Sequence, residues 1–117
     1  MVDFHKKLNI QKYEFRLIFG RSGIDIRPEK ELKNLNHGYS LNDSADVFTS
    51  VLLFQTHLLS TEPYIRNTET RQSHMAIYKE KIVHITTAML PDETIRIISM
   101  RRASKKERKI YEDSKFT

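Results

Sequence analysis

Seven cations, Arg96, Arg101, Arg102, Lys105, Lys106, Arg108 and Lys109, fall close together near the end of this 117-residue chain, and Glu107 is the one acid among them. The chain carries +5 in all, so the remainder is close to neutral and the positive charge is a local feature. A concentrated cationic surface is how proteins attract polyphosphates. A solvated helix face is the ordinary reading of a lysine run. Arg96 argues for more, because a guanidinium among Ile95, Ile97 and Ile98 has no solubility role and must point to a partner or a cleft.

The chemistry open to such a surface is narrowed by what is missing. The histidines His5, His37, His57, His74 and His84 are scattered, none paired at helical ligand spacing, so no metal or other cofactor is expected. The sequence has no Gly-rich phosphate loop, no nucleophile elbow and no cysteine. RNA can nevertheless be cut without metal, because its 2′-hydroxyl is a nucleophile awaiting a base. A protein need only deprotonate it, stabilise the crowded phosphorane with guanidinium groups and protonate the leaving oxygen. His37 could supply the proton chemistry, although before Gly38 a helix C-terminal role is the commoner one. Glu69 and Arg71, two apart, would share one face if their strand begins early, and a surface ion pair is the commoner explanation. Tyr111 reads as a hydrophobic contact under its helix and His84 as a semi-buried strand histidine.

These groups need elements to hold them. Thr94 to Met100 has apolar residues on both sides of an extended chain, Ile95 and Ile97 on one and Arg96, Ile98 and Met100 on the other, as an interior strand does. Ser104 and Glu107 form a capping box that starts a basic helix, with Arg101 to Ala103 as the hinge. Pro28 begins a helix running to about Asn36, stopped by Gly38 and docked by Leu32 and Leu35. Ser40 caps a second helix ending near Thr49, and Val51 to Phe54 reads as a strand continuing toward Leu59. Ser60 to Thr70 is the longest loop. Arg71 to Tyr78 and Lys81 to Met89 are strands whose short connections favour antiparallel neighbours, the second with Val83, Ile85 and Met89 toward the core and His84 and Thr86 on its other face. Tyr13 to Phe19 alternates like a strand, and Gly20 to Gly23 reads as a turn. The expected fold is α+β: a small antiparallel sheet of three to five strands, two short N-terminal helices and a basic C-terminal helix. Residues 1–20 form an extension to a single domain over 21–117. No apolar run spans a membrane, and a cytoplasmic protein is expected.

Several segments together resemble the BrnT-type toxins of prokaryotic toxin-antitoxin systems. They are Asn34-Leu35-Asn36-His37-Gly38-Tyr39-Ser40 through Val47-Phe48, then Glu69-x-Arg71, then Ile95-Arg96-Ile97-Ile98-Ser99-x-Arg101-Arg102-Ala103 with Glu107 and Tyr111. The likeness covers about Ile24 to Asp113, with Asn36 standing where the family pattern has Lys and Ala76 where it has Gly. The resemblance implies a RelE-like fold and a metal-independent ribonuclease that arrests translation. It also implies a BrnA-like ribbon-helix-helix antitoxin, through which alone operator DNA would be bound. His37, Glu69, Arg71, Arg96, Arg101 and Arg102 match the family's reacting positions, with Lys105, Lys106, Arg108 and Lys109 on flanking phosphates. The alternatives are a basic RNA- or DNA-binding module without catalysis, and a degenerate toxin acting only within a toxin-antitoxin complex.

Overall fold

A computed structural model describes residues 24–54, 56–91 and 94–115. The expected N-terminal extension, its Tyr13 to Phe19 strand and the Gly20 to Gly23 turn lie outside the described residues. In chain order the described elements are β1 (Ile24–Asp25), α1 (Pro28–Asn34) closing in a 3-10 turn (Leu35–His37), α2 (Asp43–Phe54), β2 (Leu59–Ser60), β3 (Tyr64–Arg66), β4 (Glu69–Tyr78), β5 (Lys81–Met89), β6 (Ile95–Arg102) and α3 (Lys105–Ser114). The three long strands β4, β5 and β6 form an antiparallel meander, as their short connections require. β1 joins the β6 margin in parallel, while β2 and β3 pair with different parts of the β4 margin. The fold is thus α+β, with a small, mainly antiparallel sheet and three helices.

The two-residue hairpin turns, Asn67-Thr68 and Lys79-Glu80, each hold two consecutive residues at positive φ. That backbone matches the right-handed twist of flanking strands, which is why two-residue hairpins use it. The two sheet faces then separate by strand alternation. One face carries Ala76, Val83, Ile85, Ile95, Ile97 and Met100 under α2, whose Val47, Phe48 and Val51 complete the main core. The other carries Met75 and Ile82, covered with Leu59 and Ala103 by Tyr111 of α3.

Four expectations change. Val51 to Phe54 is the last turn of α2, because Val51 continues the Val47 and Phe48 stripe toward the sheet while Leu53 and Phe54 stay exposed. A four-residue apolar run does not by itself distinguish strand from helix. Helix α1 is not docked by Leu32 and Leu35, which are 70% and 51% exposed, but by buried Asn34, whose carboxamide bonds Met100 on β6. The Ser60 to Thr70 stretch is not one loop, since β3 and the start of β4 lie within it. Met100 shares a face with Ile95 and Ile97, because β6 carries an extra residue at Ile98 where Thr87 pairs Ile97 and Thr86 pairs Ser99.

Gly38 ends the 3-10 turn at φ +86. A methyl there would meet nothing within 4 Å, so a Gly38→Ala change meets backbone strain alone. Loss of about 1 kcal/mol of stability is expected, read as a lower urea midpoint with unchanged slope.

Candidate functional site: a cationic cleft between the sheet and the last helix

Helix α3 starts as its residues dictate. The Ser104 hydroxyl accepts the Glu107 amide at 3.2 Å and the Glu107 carboxylate accepts the Ser104 amide at 2.8 Å, closing the capping box. The last turn is anchored by Tyr111, fully buried, whose hydroxyl donates to the His57 carbonyl at 2.7 Å. Burial, and then the Glu112 carboxylate, push this phenol up to about 12, so it stays a donor at any ordinary pH. The helix therefore covers only the apolar end of its sheet face. Beyond it lies an open cleft of about 490 Å³.

Strand register sets the cleft floor. Ser73, Thr86 and Ser99 lie across β4, β5 and β6 as one hydroxyl row, with Met75, His84 and Arg101 as the next row toward α3. On the other side of the hydroxyls, Tyr64, Arg71, Ala88, Arg96 and Asp25 make a row that crosses from β3 to β1. Arg66, Arg71, Arg101 and Lys106 line the cleft with Glu107 as the single acid. The Tyr64 hydroxyl and Ser73 Oγ are 2.9 Å apart.

The charges are arranged in two groups. Near α3, Arg101 grips Glu107 through both guanidinium ends, at 2.7 and 3.0 Å. His84 Nε2 stands 3.7 Å from the same carboxylate. Burial first, and then the Arg101 charge, hold the His84 imidazole down at about 4, although Glu107 pulls the other way. The ring is accordingly neutral at pH 7. Desolvation would raise Glu107, but the hydrogen bonds from Arg101 and the Ser104 amide outweigh it and bring the carboxyl to about 2. At the far end, Arg96 Nε bonds Asp25 at 2.7 Å and its Nη1 lies 3.6 Å from Glu69. Glu69 also takes Arg71 at 3.3 Å, so four charges alternate in a chain.

Of the residues singled out from sequence, Arg71, Arg101 and Lys106 meet in the cleft, with Glu69 behind Arg71. Arg96 does find the partners expected of it, but they are the carboxylates that tie β1 and β4 to β6, and it does not line the cleft. Arg102 pairs Val83 in register, on the sheet face opposite to Arg101, and is exposed. The strand runs through Arg102, so the hinge into α3 is Ala103-Ser104 rather than Arg101 to Ala103. His37 is exposed in the 3-10 turn and does not line the cleft. Lys105 and Lys109 are exposed, Lys109 reaching Asp113 at 3.5 Å, and Arg108 donates to the Ala103 carbonyl at 2.7 Å. Tyr64, Arg66, Ser73 and Ser99 also line the cleft, and none of them stands out in the sequence as a candidate site residue. Period-two alternation did set His84 and Thr86 off from the core face, and that was the available signal for His84.

Such a cleft can hold an anion between guanidinium groups, hydroxyls and a neutral imidazole able to accept a proton. Among the described residues no group of His, Asp and Glu is arranged to hold a metal ion, and no helix is long and apolar enough to cross a membrane. In comparisons with known proteins, no family model, no curated protein and no solved structure matches the chain.

Proposed function

We propose that this chain is a cytoplasmic toxin of a type II toxin-antitoxin pair. It would cleave RNA without a metal ion and thereby inhibit translation, held silent by a BrnA-like ribbon-helix-helix antitoxin that alone contacts operator DNA. The observation that carries the reading is the cleft itself. Arg71 and Arg101 stand on either side of the Ser73, Thr86 and Ser99 hydroxyls, with His84 beside Arg101. A phosphodiester bound on the Thr86 and Ser99 hydroxyls, beside the fully buried Ser73, is flanked by two guanidinium groups, which is the arrangement that stabilises a developing phosphorane. His84, neutral at pH 7, takes the 2′-hydroxyl proton as the 2′-oxygen bonds phosphorus and the bond from phosphorus to the 5′-oxygen breaks. The 5′-oxygen leaves with a proton from solvent, to which the imidazolium returns its own, and Lys106 with Arg66 tracks the neighbouring backbone.

The test is cleavage of purified RNA in excess chelator by wild type and by the Arg71→Ala, His84→Ala and His37→Ala variants. Cutting by wild type that is lost with Arg71 and His84 supports the cleft. Loss confined to His37→Ala would move the reacting centre to the end of α1, and absence of cutting by folded wild type opposes a free ribonuclease.

A second reading has its own observation. Arg101 is held by Glu107 through two bonds, and Arg71 and Arg96 share Glu69, so these guanidinium groups are already matched by carboxylates. A module that binds nucleic acid through the exposed Arg102, Lys105 and Lys106 alone fits that balance. It predicts salt-dependent binding to RNA and DNA alike, with no cleavage.

A further inference from the structure

In a regular strand Arg96 and Arg101, five positions apart, would point to opposite faces. In β6 they share one face because Ile98 is an extra residue: Thr87 pairs Ile97, and Thr86 pairs Ser99. The bulge therefore decides that Arg101 enters the cleft and Met100 enters the core. A slip by one residue would reverse every side chain beyond it. Something must hold that register, and β1 does not, since it pairs β6 only at Ile95 and Arg96.

The β5 ladder and the buried Met100 side chain favour it from one margin, and Asn34 adds a hold from the other. Its Nδ2 donates to the Met100 carbonyl at 2.7 Å, and its Oδ1 accepts the Met100 amide at 2.9 Å. The remaining amide hydrogen goes to the Tyr39 carbonyl at 2.9 Å, and the residue is 3% exposed. The carboxamide thus occupies the margin of β6 as a strand residue would. Backbone N–H and C=O groups alternate in direction along a strand, so a one-residue slip would leave a buried carboxamide facing neither donor nor acceptor.

We propose that Asn34 is a positioning residue for Arg101. Its side chain locks β6 just beyond the bulge at Ile98, and that register aims the guanidinium into the cleft. The consequence for RNA cleavage rests on the function proposed above, but the positioning can be read without RNA. His84 reports it, because its imidazole senses Arg101 and Glu107 from β6 and α3, and His74 more weakly from β4.

The experiment follows the His84 ring by NMR through an acid titration in wild type, Asn34→Ala, Arg101→Ala and the double variant. In wild type the ring is expected to titrate near 4. Arg101→Ala raises it by about one unit through loss of a neighbouring cation. Asn34→Ala is expected to raise it comparably, and the double variant no further than either single one, because both act through the same guanidinium. An unchanged His84 midpoint in folded Asn34→Ala, or additive shifts, overturns the proposal. If Asn34→Ala does not fold, Asn34→Asp keeps the shape and the acceptor for the Met100 amide while losing both donated bonds, and a shift there is required. Wild type gives a check free of substitutions: the Met100 amide is expected to exchange as slowly as the core amides of β6. Exchange at the rate of an open margin overturns the lock. None of these readings depends on cleavage, so an inactive protein with the expected titrations would defeat the ribonuclease reading and leave the positioning intact.

Discussion

Under the proposed ribonuclease reading, an Arg101→Ala protein is expected to fold and to lose RNA cleavage by about 10²- to 10³-fold, the loss typical when one donor to a developing oxyanion is removed. The alternative choice from sequence would have been Arg96, and the two are separated by what already holds them. Arg101 is 36% exposed at its side chain and meets one carboxylate, that of Glu107, which keeps other partners when the guanidinium leaves. Arg96 is 14% exposed and lies against both Asp25 and Glu69. Its removal leaves two half-covered carboxylates facing each other across the sheet. Arg96→Ala should therefore act on stability, costing about 1–3 kcal/mol in urea denaturation once solvent screening of the exposed carboxylates is allowed for. Cleavage kinetics on folded protein decide the matter. Full activity in Arg101→Ala, with inactivity in a stable Arg96→Ala, would move the phosphate site to the β1 end of the sheet.

The contrast between these arginines marks how far the sequence is legible. Alternation in Lys81 to Met89 and the capping box at Ser104 are local patterns, and both appear in the structure within their expected bounds. Strand alternation also separated His84 from Val83 and Ile85 correctly. What could not be read is what depends on pairing. A bulge has no residue signature in Ile97-Ile98-Ser99, yet it moves Met100 to the core and Arg101 into the cleft. The local excess of cations counted along the chain is offset in space by Asp25 and Glu69, which arrive from strands distant in sequence. The leucines of α1 satisfy helical periodicity and still face solvent, because a buried carboxamide at Asn34 docks that helix instead. Tyr64 and Arg66 fell in a stretch whose proline and polar residues read as loop, and only their pairing with Arg71 and Glu69 makes them a cleft wall.

Acid should unfold this protein in two overlapping stages, and Glu107 with His84 sets both. His84 has a folded value near 4 against an ordinary 6.5, so between those values the unfolded chain binds the proton and the folded one does not. Stability falls as pH drops through that window and levels below it. The gap corresponds to an upper bound of about 3 kcal/mol. Glu107 has a folded value near 2 against an ordinary 4.5. Its contribution is fully present above 4.5 and is lost as pH falls toward 2. The two effects therefore have the same sign. Replacing Glu107 by alanine removes the acid end of the capping box and both bonds to Arg101 together, and it should cost about 2–4 kcal/mol at pH 7. It should also lower His84 further, since the carboxylate is the group that raises it, and so keep the first acid stage while removing the second. Urea midpoints measured from pH 8 to pH 2 resolve the stages. A flat profile between pH 6.5 and 4 in wild type would mean that His84 titrates normally, and that the neutral imidazole on which the proposed proton transfer depends is not held by burial under α3.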